Sequence, residues 1–352
     1  MTPRQRVMAA LRGEPADFIP FTIYEWMLPK GTAERELRND GVCLIRGPAV
    51  WRVESPHTRT EVISYTESGE PFERTVVHTP VGDLTTIQRV MPFTRWTMKF
   101  PFSGPEDYRA LLYATQDTQY FPDYDPYRKE EEIVGDDILL RPSIGYCPMQ
   151  RIIYRVMGLE QFSIEWAERR DEVMKLYDAL TAERRRIYEI CALSPCPLFN
   201  YGGNVSADVI GLERFRKYLV PHYEEFSEIL HAHGKMMGVH FDANTRALAE
   251  DIAKTKMDYI EAFTPAPDTD MTFAEARAVW KDKALWINFP SSVHLRPVEE
   301  VAQTMRDILR DAGDGRRFLV GITEDVPEDR WKQNYRAIVD VLREAGAAPI
   351  QR

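Results

Sequence analysis

His240 and Asp242 stand two residues apart at the end of a short apolar run, Lys235-Met-Met-Gly-Val-His-Phe-Asp242. The run reads as a strand, and alternate residues of a strand point to one side. An imidazole and a carboxylate on one side of a buried strand need a polar task or a partner. Two chemistries are open to them: holding a metal ion, or passing protons. The structural alternative makes Asp242 the cap of a helix over Asn244 to Lys254 and His240 a hydrogen-bonded core residue.

Other apolar runs end in similar polar groups. Phe18 to Tyr24 leads into Tyr24, Glu25 and Trp26, and Pro197 to Tyr201 leads into Tyr201, Gly202, Gly203 and Asn204. Glu261 lies within Tyr259 to Phe263, Asn288 closes Ala284 to Phe289 with His294 soon after, and Thr323, Glu324 and Asp325 follow Phe318 to Ile322. Polar groups from separate strands converging on one place are stronger grounds for a site than any one of them. Gly202 and Gly203 have a plainer use in supplying positive φ, and Asn204 in capping a helix. Asp325, Pro327 and Glu328 have the spacing of a helix start, which leaves Glu324 unexplained.

The reading places His240, Asp242, Glu261 and Tyr201 in the chemistry. Tyr24, Glu25, Trp26, Asn204, Asn288 and His294 stand around the substrate. His240, Asp242 and Glu324 offer one nitrogen and two oxygen donors, a set for a divalent ion. Zinc is the first choice; iron, manganese and magnesium are the others. Trp26, Trp51, Trp96, Phe263 and Phe289 are candidate walls for an aromatic pocket.

The elements that must position these residues alternate. Strand-like runs at Ile138 to Arg141, Pro197 to Tyr201, Met236 to His240, Tyr259 to Phe263, Ala284 to Phe289 and Phe318 to Ile322 are separated by helical patterns. These are Glu165 to Cys191, Leu212 to His233, Thr245 to Thr255, Pro297 to Ala312 and Pro327 to Ala345. Such alternation implies parallel pairing through right-handed crossovers. The number of units predicts an α/β chain folded as a (β/α)8 TIM barrel, whose site lies at the C-terminal strand ends. Thr2 and Pro3 start an N-terminal helical extension to Arg12. Residues 60–92 alternate apolar and polar between turn signals and predict a small antiparallel meander inserted into a single domain spanning 1–352.

Composition narrows the class. A net charge of −10 argues against a general nucleic-acid partner. No apolar run reaches the roughly 20 residues of a membrane span, and Met1-Thr-Pro-Arg-Gln-Arg-Val has no signal core, so a cytoplasmic protein is expected. The four cysteines, Cys43, Cys147, Cys191 and Cys196, form no Cys-x-x-Cys pair and suit reduced thiols. No Gly-x-Gly-x-x-Gly or P-loop pattern follows a strand.

Several stretches resemble the uroporphyrinogen decarboxylase superfamily, in particular its methyltransferase-like branch. They are Pro3-Arg-Gln-Arg-Val-Met-Ala-Ala-Leu-Arg-Gly-Glu-Pro-Ala-Asp-Phe-Ile-Pro20, Thr79-Pro-Val-Gly82, Phe215-Arg-Lys-Tyr-Leu-Val-Pro221 and His231-Ala-His-Gly-Lys-Met-Met-Gly-Val-His240. The resemblance spans nearly the whole chain and implies a (β/α)8 barrel. The Arg-Gln-Ala-Gly segment of the porphyrinogen decarboxylases is absent, with Tyr24-Glu-Trp-Met-Leu-Pro in its region, so action on uroporphyrinogen is not expected. Methyltransferases linked to corrinoid proteins and coenzyme M carry His-x-Cys and a later Cys on zinc. Here His240-Phe-Asp242 and Thr323-Glu324 take those places, and the thiolates are gone.

An oxygen-rich site suits a substrate oxygen better than a thiol. The resemblance therefore implies transfer of a methyl group from a small methoxylated aromatic donor to a corrinoid. No corrinoid-binding Asp-x-His-x-x-Gly motif occurs, so the corrinoid arrives on a partner protein. The alternatives are a cofactor-independent decarboxylase or other lyase of the same superfamily, with Asp242 or Glu261 handling protons, and a non-catalytic binding member.

Overall fold

The computed structural model describes residues 1–92 and 94–349. The chain forms two compact units: residues 1–50, 124–145 and 192–352, and residues 51–123 and 146–191.

The first unit holds eight parallel strands: β1 (Phe21–Tyr24), β2 (Cys43–Arg46), β3 (Ile138–Leu140), β4 (Leu198–Tyr201), β5 (Met236–His240), β6 (Tyr259–Phe263), β7 (Ala284–Asn288) and β8 (Phe318–Ile322). They form one curled sheet in the order β4-β5-β6-β7-β8-β1-β2-β3, the cyclic order of a TIM-like barrel. A single parallel bridge, Ser143 to Asn200, joins the two edges just past β3. β2 has no counterpart among the expected strands. Its four residues are short for a periodic signal and sit between Gly41 and Gly47-Pro48.

Side chains that point into the sheet's curl come in two layers. The lower layer is apolar and includes Cys43, Leu139, Leu198, Tyr259, Ala284, Trp286 and Leu319. Val7, Met8 and Leu11 of the N-terminal helix Pro3–Arg12 pack into the same cluster, so this extension plugs one end. That helix starts as expected, with Thr2 as N-cap, Gln5 completing a capping box and Pro3 in the first turn. Gly238 faces the Tyr259 ring so closely that a Cβ there would lie 2.0 Å from it. Two residues further along several strands the inward positions turn polar, which gives the upper layer.

The helix over Pro327 to Ala345 begins later, at Trp331, with Arg330 in the N-cap position and no side-chain cap. Asp325 and Glu328 thus form no capping box. Asp242 likewise caps no helix: a 3-10 turn at Arg246–Leu248 leads into a helix at Ala249–Lys254.

The second unit contains the meander, built from Arg59–Glu67, Glu70–Thr79, Gly82–Val90 and Arg95–Lys99 in sequential antiparallel order. It runs one strand beyond the expected 60–92. The expected helix from Glu165 to Cys191 is two, Leu159–Glu168 and Arg170–Leu193. Among the described residues no helix is long and apolar enough to cross a membrane.

Candidate active site at the strand ends

The upper layer follows from strand alternation. Thr22 is followed two residues later by Tyr24, Leu139 by Arg141, Leu198 by Asn200, Gly238 by His240 and Tyr259 by Glu261. Register places His240 directly beside Glu261 across β5 and β6. Five polar side chains from five strands therefore meet above an apolar floor.

Glu261 is the hub and is fully buried. Its Oε2 accepts from Asn200 Nδ2 at 3.2 Å and lies 2.6 Å from His240 Nδ1. Its Oε1 accepts from the Tyr24 hydroxyl and from Arg141 Nη2, the latter at 3.3 Å. Arg141 Nη2 also lies 3.3 Å from the Tyr24 oxygen, and its guanidinium stacks 5.2 Å from the Trp286 ring. On its other side, His240 Nε2 lies 3.2 Å from Asp242 Oδ2. Asp242 Oδ1 accepts from the Asn204 backbone N–H at 3.3 Å.

Burial alone would raise the Glu261 carboxyl, but Arg141 and His240 outweigh it and hold it down at about 2. Burial alone would lower the His240 imidazole. The two carboxylates reverse that and push it up to about 10. At neutral pH His240 is thus an imidazolium between two anions. Burial and the Glu261 charge raise the Tyr24 phenol, so it stays a neutral donor.

The backbone is shaped around this network. Gly203 has no positive φ; its role is space, since a Cβ there would lie 2.0 Å from His240 Cδ2. Gly202 likewise has ordinary φ and lies against the Gly145 backbone. Asn204 does take the left-handed conformation, φ 61°, while the cap of the next helix is Ser206. Ala262, next to Glu261, sits at φ 60° in a bulge of the β6–β7 pairing. A non-glycine residue held there costs about 1–3 kcal/mol, strain of the kind that gathers at functional sites.

A cavity of about 470 Å³ opens onto this layer. Tyr24, Glu25, Trp26, Arg46, Asn204 and His240 stand on its walls. Trp26 is 70% exposed and stacks on Tyr24 with 6.3 Å between ring centroids. Glu25 is engaged by Arg46 and Lys30, and Arg46 also reaches Glu130.

The profile described as uroporphyrinogen decarboxylase (URO-D) matches residues 153–345, more than half of the chain. The chain belongs to the uroporphyrinogen decarboxylase family. No curated protein matches it in sequence. Among solved structures, a methyltransferase from Methanosarcina mazei aligns over 98% of this chain and 99% of its own, with TM-score 0.60 and 13% identity. That likeness extends to the fold. A structure of the pneumococcal virulence factor StrH aligns far more weakly, with TM-score 0.38 and 9% identity over 93% of this chain and 85% of that one.

This family member departs from several expectations for its site. Tyr201 points away from the upper layer and packs its ring against Tyr223 and Phe226, because Asn200 takes the inward position on β4. Asn288 follows Ala284 and Trp286 on the inward face of β7, as expected, but is buried and tied to Thr264 and to the backbone of Thr323. His294 is buried against Phe289, Tyr335 and Asn334. Neither lines the cavity. Of the expected aromatic walls only Trp26 stands there: Phe263 packs on Trp280, Phe289 on His294, and Trp51 and Trp96 belong to the second unit.

The metal set is not gathered either. Among the described residues no group of three or more His, Cys, Asp and Glu side chains is arranged to hold a metal ion. Both nitrogens of His240 face carboxylates, and Glu324 is exposed beyond β8. Cys147, like the other cysteines, is buried. Arg46, Arg141 and Asn200 join the site unannounced. The signal for the last two was a polar residue ending or interrupting a short buried strand, Ile-Leu-Leu-Arg141 and Leu-Phe-Asn200-Tyr.

Proposed function

We propose that the protein is a methyltransferase-like enzyme that takes a methyl group from the oxygen of a small methoxylated aromatic donor. The acceptor is a corrinoid carried by a partner protein, which supplies the nucleophile when bound. The observation that carries the reading is the imidazolium of His240, held between Glu261 and Asp242 on the wall of the cavity. When a methyl group leaves an ether, the bonding electron pair stays on oxygen and negative charge develops there. His240 Nε2–H neutralises it, first by hydrogen bonding and then by proton transfer. The 3.2 Å contact to Asp242 is the looser of its two and is the one a substrate oxygen can share. The two carboxylates raise the imidazole above its ordinary value, so it holds its proton until charge develops on the leaving oxygen. Glu261 fixes the ring through Nδ1, and Trp26 with Tyr24 offers a flat aromatic face to the donor. Because His240 and Asp242 are turned to one another and Glu324 is exposed beyond β8, no step is assigned to a metal.

A lyase reading keeps one point of support: the same imidazolium can protonate a carbanion left by loss of carbon dioxide. The two readings separate in one assay. Methoxylated aromatics are supplied with reduced corrinoid protein, and both methyl transfer and carbon dioxide release are followed. Methyl transfer that falls by about 10²–10⁴ in His240→Gln supports the proposal. Carbon dioxide release from a carboxylated substrate, with no methyl transfer from any donor, rejects it in favour of the lyase.

A further inference from the structure

Once the Glu261 network is drawn, two polar groups at the base of the cavity are left over. Arg141 spends Nη2 on Tyr24 and Glu261, while its Nε and Nη1 are buried without a hydrogen-bond partner among the described residues. Asn200 spends Nδ2 on Glu261 and on the Tyr201 carbonyl, which fixes the orientation of its amide. Its Oδ1 is buried without a partner among the described residues. Arg141 is 6% exposed and Asn200 2%, and both line the cavity. They bind opposite oxygens of one carboxylate and are therefore neighbours. Buried polar groups are rarely left unmet, because each then keeps its full desolvation cost.

The two leftovers are complementary. Guanidinium only donates, and an amide oxygen only accepts. A ligand group that meets both must accept and donate at once, as a hydroxyl does. A carboxylate would meet Arg141 but place negative charge against Asn200 Oδ1. An apolar group would meet neither.

Charge points the same way. Arg46 is held by Glu25 and Glu130, Arg141 by Glu261, and His240 by Glu261 and Asp242. None of these three cations remains without a carboxylate, so an anionic ligand finds no net attraction. We propose that the cavity selects a neutral ligand by a hydroxyl group that accepts from Arg141 and donates to Asn200 Oδ1. Only the choice of probes rests on the methyl-donor reading; the recognition does not.

The test is calorimetric binding to the purified full chain, with no corrinoid present, of 2-methoxyphenol, methoxybenzene and 2-methoxybenzoate. 2-Methoxyphenol should bind about tenfold or more tightly than either of the others, the usual size for a hydrogen bond to a charged group. Asn200→Ala should bring 2-methoxyphenol down to the methoxybenzene level and leave methoxybenzene unchanged. If that variant does not fold, the ligand series on the natural chain decides alone. Equal affinity for the phenol and the ether, preference for the carboxylate, or no binding of 2-methoxyphenol overturns the proposal. The expected ranking without any methyl transfer would remove the methyl-donor reading and leave the hydroxyl selection standing.

Discussion

Two histidines of this chain, one partly buried and one fully buried, end in opposite states. His240 stands at the end of β5 between two carboxylates, 2.6 Å from Glu261 and 3.2 Å from Asp242. His294 lies in the 3-10 turn Ser291–Leu295 after β7, with Phe289, Tyr335 and Asn334 around it. No carboxylate pairs with it among the described residues. Burial pushes His294 down to about 4, while the paired carboxylates carry His240 up to about 10. At neutral pH the same side chain is a cation in one place and neutral in the other. Burial alone keeps an imidazole neutral, as at His294; carboxylates within hydrogen-bond distance reverse that at His240.

The largest effect is expected from breaking the carboxylate that makes the difference. Glu261→Gln removes the charge that holds both Arg141 and His240, and it leaves two cations in a buried layer. Breaking a buried pair from one side costs about 3–5 kcal/mol. Urea unfolding should register that loss. A nitrogen-detected titration should show His240 released from its alkaline value toward the ordinary histidine range. A variant that loses under 1 kcal/mol and keeps its titration would mean that Glu261 is not the hub.

The next effect is a pH profile with two limbs of different origin. The folded pKa of His240 lies above its unfolded value of about 6.5. Its contribution is therefore complete below pH 6.5 and is lost as pH rises through about 10. The folded pKa of His294 lies below its unfolded value, so its contribution is complete above pH 6.5 and is lost as pH falls through about 4. His294→Phe should flatten the acid limb, leave the alkaline limb in place and cost about 1 kcal/mol for the lost Asn334 contact. His240→Gln should do the reverse. Unfolding midpoints at pH 5, 7 and 9 check both, and an alkaline limb that survives His240→Gln would break the comparison.

The contrast also marks how far residues can be read without coordinates. His240, Asp242 and Glu261 were legible because alternation along a strand is a strict geometric rule, and the apolar residues between them set its phase. His294 was not separable from them. Its place after a strand suggested a site, but whether a loop side chain turns into a cavity or folds back onto a helix depends on partners such as Asn334 and Tyr335, forty residues away in the chain. Tyr201 failed by one position: the strand was right, and its inward face carried Asn200. Arg141 was counted as the end of a strand and not as its inward polar residue. β2 left no periodic trace because four residues hold barely two inward positions, Cys43 and Ile45. The barrel order was readable from the strand–helix alternation, whereas the ion-pair layer needed register across β5 and β6.

The smallest effect should come from Glu324, which makes it the sharpest test of the metal-free reading. Glu324 is exposed beyond β8, and no hydrogen bond or ion pair holds its side chain among the described residues. Partial desolvation, with Asp242 next, lifts its carboxyl above the ordinary value. An acid whose folded pKa is raised is less favourable in the fold once ionised, so its stabilising share is present at low pH and is lost as pH rises. Glu324→Gln should therefore gain up to about 0.5 kcal/mol at pH 7, the usual size for an exposed substitution, and change turnover by less than about threefold. Element analysis of the natural protein should find no stoichiometric divalent metal. If the natural protein instead carried one metal per chain, and Glu324→Gln lost that metal together with about 10²-fold in activity, then His240, Asp242 and Glu324 would be ligands. The His240 side of the comparison would then describe the apo arrangement of a metal site, with Asp242 turning from the imidazole toward the ion.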